Sequence, residues 1–254
     1  MQATLPVPPA ESRQRWRLVY GRSPDAPHLA QRDQHDAWVA ALVASGLPLV
    51  GLDLDPPRPR IVFAAPLSVG VPAEHELADF FLTDRRSVNE VREALESRLP
   101  AGHALIDLHD VWLGAPALSG RVVAADYRAR IACAEGSALP GEGSAPPGAG
   151  IDLVVLTRAA AGLIAATHLP RTRDKGGRAV AYDLRPLIAS VDIRGLADPH
   201  DDGSIAEFRV RVRFDPERGV GRPEEVLSAI AEAAGVELIL LGLARERIVL
   251  GGDD

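Results

Sequence analysis

Ile205-Ala206-Glu207-Phe208-Arg209-Val210-Arg211-Val212-Arg213-Phe214 is the most regular stretch of the chain. From Phe208 onward apolar and charged residues strictly alternate, the period-2 signature of a strand with one face in a core and one face outside. Phe208, Val210, Val212 and Phe214 form the inner row, and Arg209, Arg211 and Arg213 the outer row. A helix follows. Arg222-Pro223-Glu224-Glu225 opens it, with proline in the first turn and acids near the positive helix end, and Gly235 closes it. Val236–Leu243 and Arg247–Leu250 then read as two closing strands.

Upstream of this stretch, Arg121–Ala132 reads as a strand and Asp152–Gly162 as a helix. Between them, 134–150 is rich in Gly, Pro, Ser and Ala without an apolar period, the composition of a flexible loop. Leu163–Leu169 and Arg178–Tyr182 read as a hairpin around Asp174-Lys175-Gly176-Gly177, followed by a helical turn over Asp183–Ile188 and a strand at Ala189–Arg194.

The first half carries similar signals. Arg15–Tyr20 (RWRLVY) starts with alternation and reads as a strand with one buried face, and His28–Ser45 has mostly helical spacing with Gly46 as its stop. Leu47–Leu52, Ile61–Pro66, Glu76–Leu82 and Ala104–Leu113 read as strands. Three prolines stiffen the turn Asp55–Arg60. Ser87 with Glu90 three residues on is a capping box, starting a helix that Pro100-Ala101-Gly102 ends by about Leu99. Merging the proline-bent hairpin gives a βαββαβ order. The expected class is α+β: two ferredoxin-like antiparallel sheet units packed together. The expected boundaries are a disordered tail at 1–12, a first half at 13–118 and a second at 119–254.

Composition narrows the function. Of 254 residues, 46% are apolar and 25% charged, with a net charge of −7, so nucleic-acid binding would have to rest on a local patch. A single cysteine, Cys133, excludes a disulfide within the chain, a Cys-rich zinc site or an iron–sulfur cluster held by this chain alone. No uncharged apolar run of 18 residues is present, and no basic start precedes an apolar stretch, so neither a spanning helix nor a signal peptide is expected and the cytoplasm is the default location. No Gly-x-Ser-x-Gly elbow and no phosphate loop occurs.

Candidate sites are therefore local. Arg158, Arg171, Arg173, Lys175, Arg178 and Arg185 stand against only Asp174 and Asp183, a basic stretch in an acidic chain. Glycines there let a backbone approach a ligand, and guanidinium groups suit phosphate. Arg209, Arg211 and Arg213 offer either an RNA-facing sheet or salt bridges to neighbouring strands. His109 between Asp107 and Asp110, and His28 with His35 and Asp36, match no specific metal spacing, so no metal and no other cofactor is expected. No catalytic residue is assigned. Asp33, Asp53 and Asp183 remain as acid–base groups under an alternative enzymatic reading.

Two blocks resemble a known family. The first runs Gly46-Leu47-Pro48-Leu49, then Pro57–Leu67, then Val69-Gly70-Val71. The second is Tyr182-Asp183-Leu184-Arg185-Pro186-Leu187-Ile188, followed by Gly221-Arg222-Pro223-Glu224-Glu225-Val226-Leu227. Together they resemble the radical-SAM-linked proteins, a bacterial domain encoded beside, or fused to, a radical S-adenosylmethionine protein. The family's Ser-His-Leu-Asp run corresponds without a gap to Ala30-Gln31-Arg32-Asp33, keeping only Asp33; with a short insertion it corresponds to Pro27–Ala30, keeping His28 instead. Its Asn-Pro-His-Pro-Arg turn reads Pro56-Pro57-Arg58-Pro59-Arg60, without the histidine. The resemblance implies an accessory or substrate-recognition role beside a radical SAM partner, with RNA modification as one setting. The anion- or RNA-binding candidates are Arg58, Arg60, Arg173, Lys175, Arg178 and Arg185, with Asp33 as a family-motif position. A protein-only interaction module is the alternative.

Overall fold

A computed structural model describes residues 11–134, 151–174, 176–196 and 204–252. Most of the expected tail, the loop from 135 to 150, and Lys175 lie outside the described residues. The chain is α+β and divides into two compact units, one up to Val122 and one from Val123.

The first unit runs β1 (Gln14–Arg22), α1 (Gln31–Ala44), β2 (Ile61–Phe63), β3 (Ala73–Leu82), α2 (Val88–Glu96), β4 (His103–Val111) and a short α3 (Leu118–Arg121). Its strands lie in the order β4-β1-β3-β2, each pair antiparallel. One sheet face gives Trp16, Leu18, Tyr20, Phe80 and Leu82 to a core closed by Trp38 and Leu42 of α1 and Val91 and Leu95 of α2. Both members of the capping box are present, with the Ser87 Oγ accepting from the Glu90 N–H and the Glu90 carboxylate from the Ser87 N–H.

Two expectations change here. Leu47–Leu52 is not a strand: only Leu49 bridges, to Leu82. Pro48 has no N–H for a ladder, and Gly51 turns the chain at φ +92°. The Gly51 carbonyl accepts from the Arg58 N–H, and a Cβ on Gly51 would stand 2.2 Å from the Arg58 carbonyl oxygen. Second, β1 is buried on both faces. Arg15 and Arg17, which alternation assigns to solvent, are 3% and 9% exposed, because the Asp79 carboxylate on β3 hydrogen-bonds to both.

The second unit runs β5 (Val122–Cys133), α4 (Leu153–Ala165), a hairpin of β6 (Pro170–Asp174) and β7 (Ala179–Asp183), a 3-10 turn (Arg185–Leu187), β8 (Ile188–Gly195), β9 (Ile205–Asp215), a short β10 (Gly219–Val220), α5 (Pro223–Ala234) and β11 (Leu238–Leu250). β9 pairs antiparallel with β5 and with β8, and β5 lies between β9 and β11. With the β6–β7 hairpin and the two-residue β10 set aside, the remaining four strands read fourth-first-third-second, the same order as in the first unit, with a helix after the first strand and another between the third and fourth. The hairpin forms a separate two-stranded sheet. The core gathers Phe208, Val210 and Val212 of β9 with Leu156 and Leu163 of α4 and Val226 and Ile230 of α5.

Here too boundaries move. Leu163–Ala165 continue α4, because Leu163 follows Leu156 and Ala160 on one buried helix face. The hairpin therefore starts only at Pro170. The two expected closing strands are one strand, β11, which runs through Gly242 beside a β5 almost as long.

Candidate functional site

The β6–β7 hairpin turns at Gly176 and Gly177, both at positive φ (64° and 81°), with the Asp174 carboxylate accepting from the Gly177 N–H. Register puts Arg171 opposite Tyr182 and Arg173 opposite Val180, on one face of the hairpin. That face is fastened to α5. Arg173 lies 3.0 Å from the Glu225 carboxylate, with its guanidinium 3.9 Å over the Tyr182 ring, and Arg171 lies 3.0 Å from Glu232. Burial raises the Tyr182 phenol.

At the base of the hairpin, Asp183 collects three hydrogen bonds. Its Oδ1 accepts from the Leu169 N–H at 2.8 Å and the Arg185 N–H at 3.0 Å, and its Oδ2 lies 2.9 Å from the His168 Nδ1. The Leu169 N–H is the main reason the carboxyl is held below the usual carboxylate range. With Nδ1 engaged by this carboxylate, Nε2 is the nitrogen that an exposed imidazole leaves for a ligand. His168 and Asp183 border an open groove of about 940 Å³, whose other walls include Thr167, Ala181, Arg185 and Arg218. The Arg185 guanidinium holds the groove floor, donating to the carbonyls of Ile164 and Ile188. Arg218 stands on the turn after β9, where the Asp215 carboxylate accepts from the N–H groups of Glu217 and Arg218.

Arg171 and Arg173 share one hairpin face and Arg185 follows at its base, but each of the three has a structural partner. Arg178 is exposed at the hairpin tip. On the β9 face, Arg211 makes two hydrogen bonds to Asp126, Arg209 pairs with Glu207, and Arg213 donates to the Pro186 carbonyl. Of these contacts only Arg211–Asp126 is a salt bridge between strands; Arg209 pairs within β9 and Arg213 with a backbone carbonyl.

Arg58, Arg60 and Asp33 lie in the first unit. Arg58 and Asp33 are exposed, Asp33 in the first turn of α1. Arg60 places its guanidinium 4.0 Å over the Phe81 ring, at a pocket of about 290 Å³ that Arg15, Asp79 and Ser12 also line. His109 lies 3.3 Å from Asp107, and both are about half exposed. Among the described residues, no group of three His, Cys, Asp or Glu side chains could hold a metal. Cys133 is partly buried, and burial pushes its thiol up. No helix of the described residues is long and apolar enough to cross a membrane.

Two residues escaped the sequence reading. His168 sits 15 positions from its carboxylate, across a hairpin whose limits were misplaced. Asp79 is 62 and 64 residues from its two arginines. Its one sequence signal is a lone acid in the apolar run Ala78-Asp79-Phe80-Phe81-Leu82, which in a buried strand demands a cationic partner.

The fold and site define an α+β protein of two units with matching strand order, one carrying a hairpin-walled groove with a His–Asp pair. The chain belongs to the family described as an uncharacterised protein conserved in bacteria (DUF2344), which matches residues 15–217. No curated protein matches it. Among solved structures it is similar to one in a Cbf5-Nop10-Gar1 complex, with a TM-score of 0.44 and 13% identity over 91% of this chain and 49% of that one. A chain of the archaeal box H/ACA sRNP Nop10-Cbf5 complex gives a TM-score of 0.41 and 10% identity, over 91% and 47%. An unknown protein from Galdieria sulphuraria gives 0.22 and 15%, over 93% and 99%. The chain spans about half the length of the first two.

Proposed function

We propose that this chain is a substrate-recognition partner of a radical SAM enzyme, and that its ligand is an anionic polymer such as RNA. The open groove of the second unit carries this reading. It is large enough for a nucleotide-sized group, and Arg218 and His168 stand at its wall. Arg178 at the hairpin tip adds a charge outside the groove. The partner rests on the resemblance in the Gly46–Val71 and Tyr182–Leu227 blocks. It fits a chain whose one cysteine leaves cluster ligation to another protein.

The test is a tagged pull-down from the native cell, divided into nuclease-treated and untreated halves, with bound protein and RNA identified. A radical SAM protein retained after nuclease, with a defined RNA in the untreated half, is the expected result. A protein partner without RNA in either half reduces the role to protein-only interaction.

One observation favours a second reading, a proton-transfer enzyme in its own right. Asp183 orients His168 at the groove wall, as a carboxylate orients a general base. Turnover by the purified chain, abolished in His168→Gln, would establish it.

A further inference from the structure

Two guanidinium groups share one carboxylate on the first unit's second sheet face, and a third stands beside them over an aromatic ring. Arg15 and Arg17 are buried, with side-chain exposures of 4% and 11%, and both are bound to Asp79. Arg15 spends further N–H groups on the carbonyls of Ala115 and Pro116, which carry no net charge. Arg60 is exposed, and its guanidinium meets the Phe81 ring but no carboxylate among the described residues. Asp107 lies further along the same face, engaged with His109 and Arg92. The Arg15–Arg17–Arg60–Asp79 group therefore keeps two positive charges, one of them in the interior, where an uncompensated charge is costly.

The pocket of about 290 Å³ is lined by Arg15, Arg60 and Asp79 of that group, two guanidinium groups against one carboxylate. Ser12 adds a hydroxyl at its wall, and Phe81 holds the Arg60 guanidinium as a flat plate. Such a plate presents paired donors to tetrahedral oxyanions.

We propose that this pocket binds the phosphate of a phosphate monoester, held between Arg60 and Arg15. A monoester brings about −1.5 to −2 charges at neutral pH, matching the excess, whereas a backbone diester brings about one. The occupant is a terminal phosphate or free inorganic phosphate, and not the interior of a nucleic-acid strand. This inference is independent of the radical SAM partner and of the groove in the second unit.

The test is calorimetric titration of the purified full chain with inorganic phosphate, adenosine monophosphate and dimethyl phosphate. Arg60→Gln removes the exposed arginine without opening the core, and Arg218→Gln serves as a control in the other unit. The expected result is binding of inorganic phosphate, adenosine monophosphate or both, at one site. Dimethyl phosphate and the Arg60→Gln variant should each weaken binding at least about tenfold, the value of one charge-assisted hydrogen bond. Arg218→Gln should bind as the native chain does. Tighter binding of adenosine monophosphate than of inorganic phosphate identifies a nucleotide terminus, and the reverse identifies the free ion. Absence of binding by both overturns the proposal. So does unchanged affinity in Arg60→Gln, loss in Arg218→Gln, or dimethyl phosphate binding as tightly as the monoester.

Discussion

The Nε of Arg15 lies 2.8 Å from the Oδ2 of Asp79, within a sheet face from which both residues exclude water. Arg17 approaches the other carboxylate oxygen at 2.9 Å. Both arginines are largely removed from solvent, so their charge balance rests on this carboxylate. Asp79→Ala should destabilise the protein by about 3–5 kcal/mol, the cost of stranding buried charge. Replacing Asp79, Arg15 and Arg17 together with Leu, Met and Met should cost far less. Urea unfolding of both variants checks this: the single substitution should lower the midpoint sharply, and the triple one only slightly.

Gly51 and Gly46 separate strain from crowding. Both have positive φ, but a Cβ on Gly46 meets nothing within 4 Å, whereas one on Gly51 runs into the Arg58 backbone. Gly46→Ala should cost about 1–2 kcal/mol for its left-handed backbone. Gly51→Ala should cost more and shift the turn that carries Arg60. Thermal melts give the ranking, and phosphate titration of Gly51→Ala reads the effect on the turn.

Asp126 links the second unit to pH. Burial pushes its carboxyl up, but hydrogen bonds from Arg211 and Arg247 outweigh burial and hold it below the ordinary range. A depressed folded-state value means that its contribution is present above the unfolded value, about pH 4, and is lost as pH falls through the folded one. The slope of stability against pH below about pH 4 should therefore be shallower in Asp126→Asn. Urea midpoints measured from neutral pH down to pH 3 test this.

The hairpin is held to α5 by charged side chains, chiefly Arg173 with Glu225. Glu225→Gln should loosen it without unfolding the sheet behind. Amide hydrogen exchange should speed up over the β6–β7 strands and stay slow in β9. Equal acceleration in both would mean that the hairpin belongs to the cooperative core.

Much of this protein is written in local sequence. Period-2 alternation determined β9 and its inner row of Phe208, Val210 and Val212, because a pleated strand against one core leaves no other arrangement. Ser87 and Glu90 determined where α2 begins, since a capping box is closed within four residues. The class, α+β, follows from such signals in series. Tertiary structure decided the rest. Val50 and Leu52 looked like strand residues, but their ladder is interrupted by Pro48 and turned away at Gly51. Leu163 looked like the start of a hairpin until α4 used it as core. Arg15 and Arg17 read as solvent-facing and became interior when Asp79, more than 60 residues away, folded against them. The sites share that origin. His168 meets Asp183 across a hairpin, and Arg60 reaches Phe81 from a proline turn. Alternation and caps are set by neighbours along the chain, whereas a buried charge is stable only beside a partner that folding brings to it.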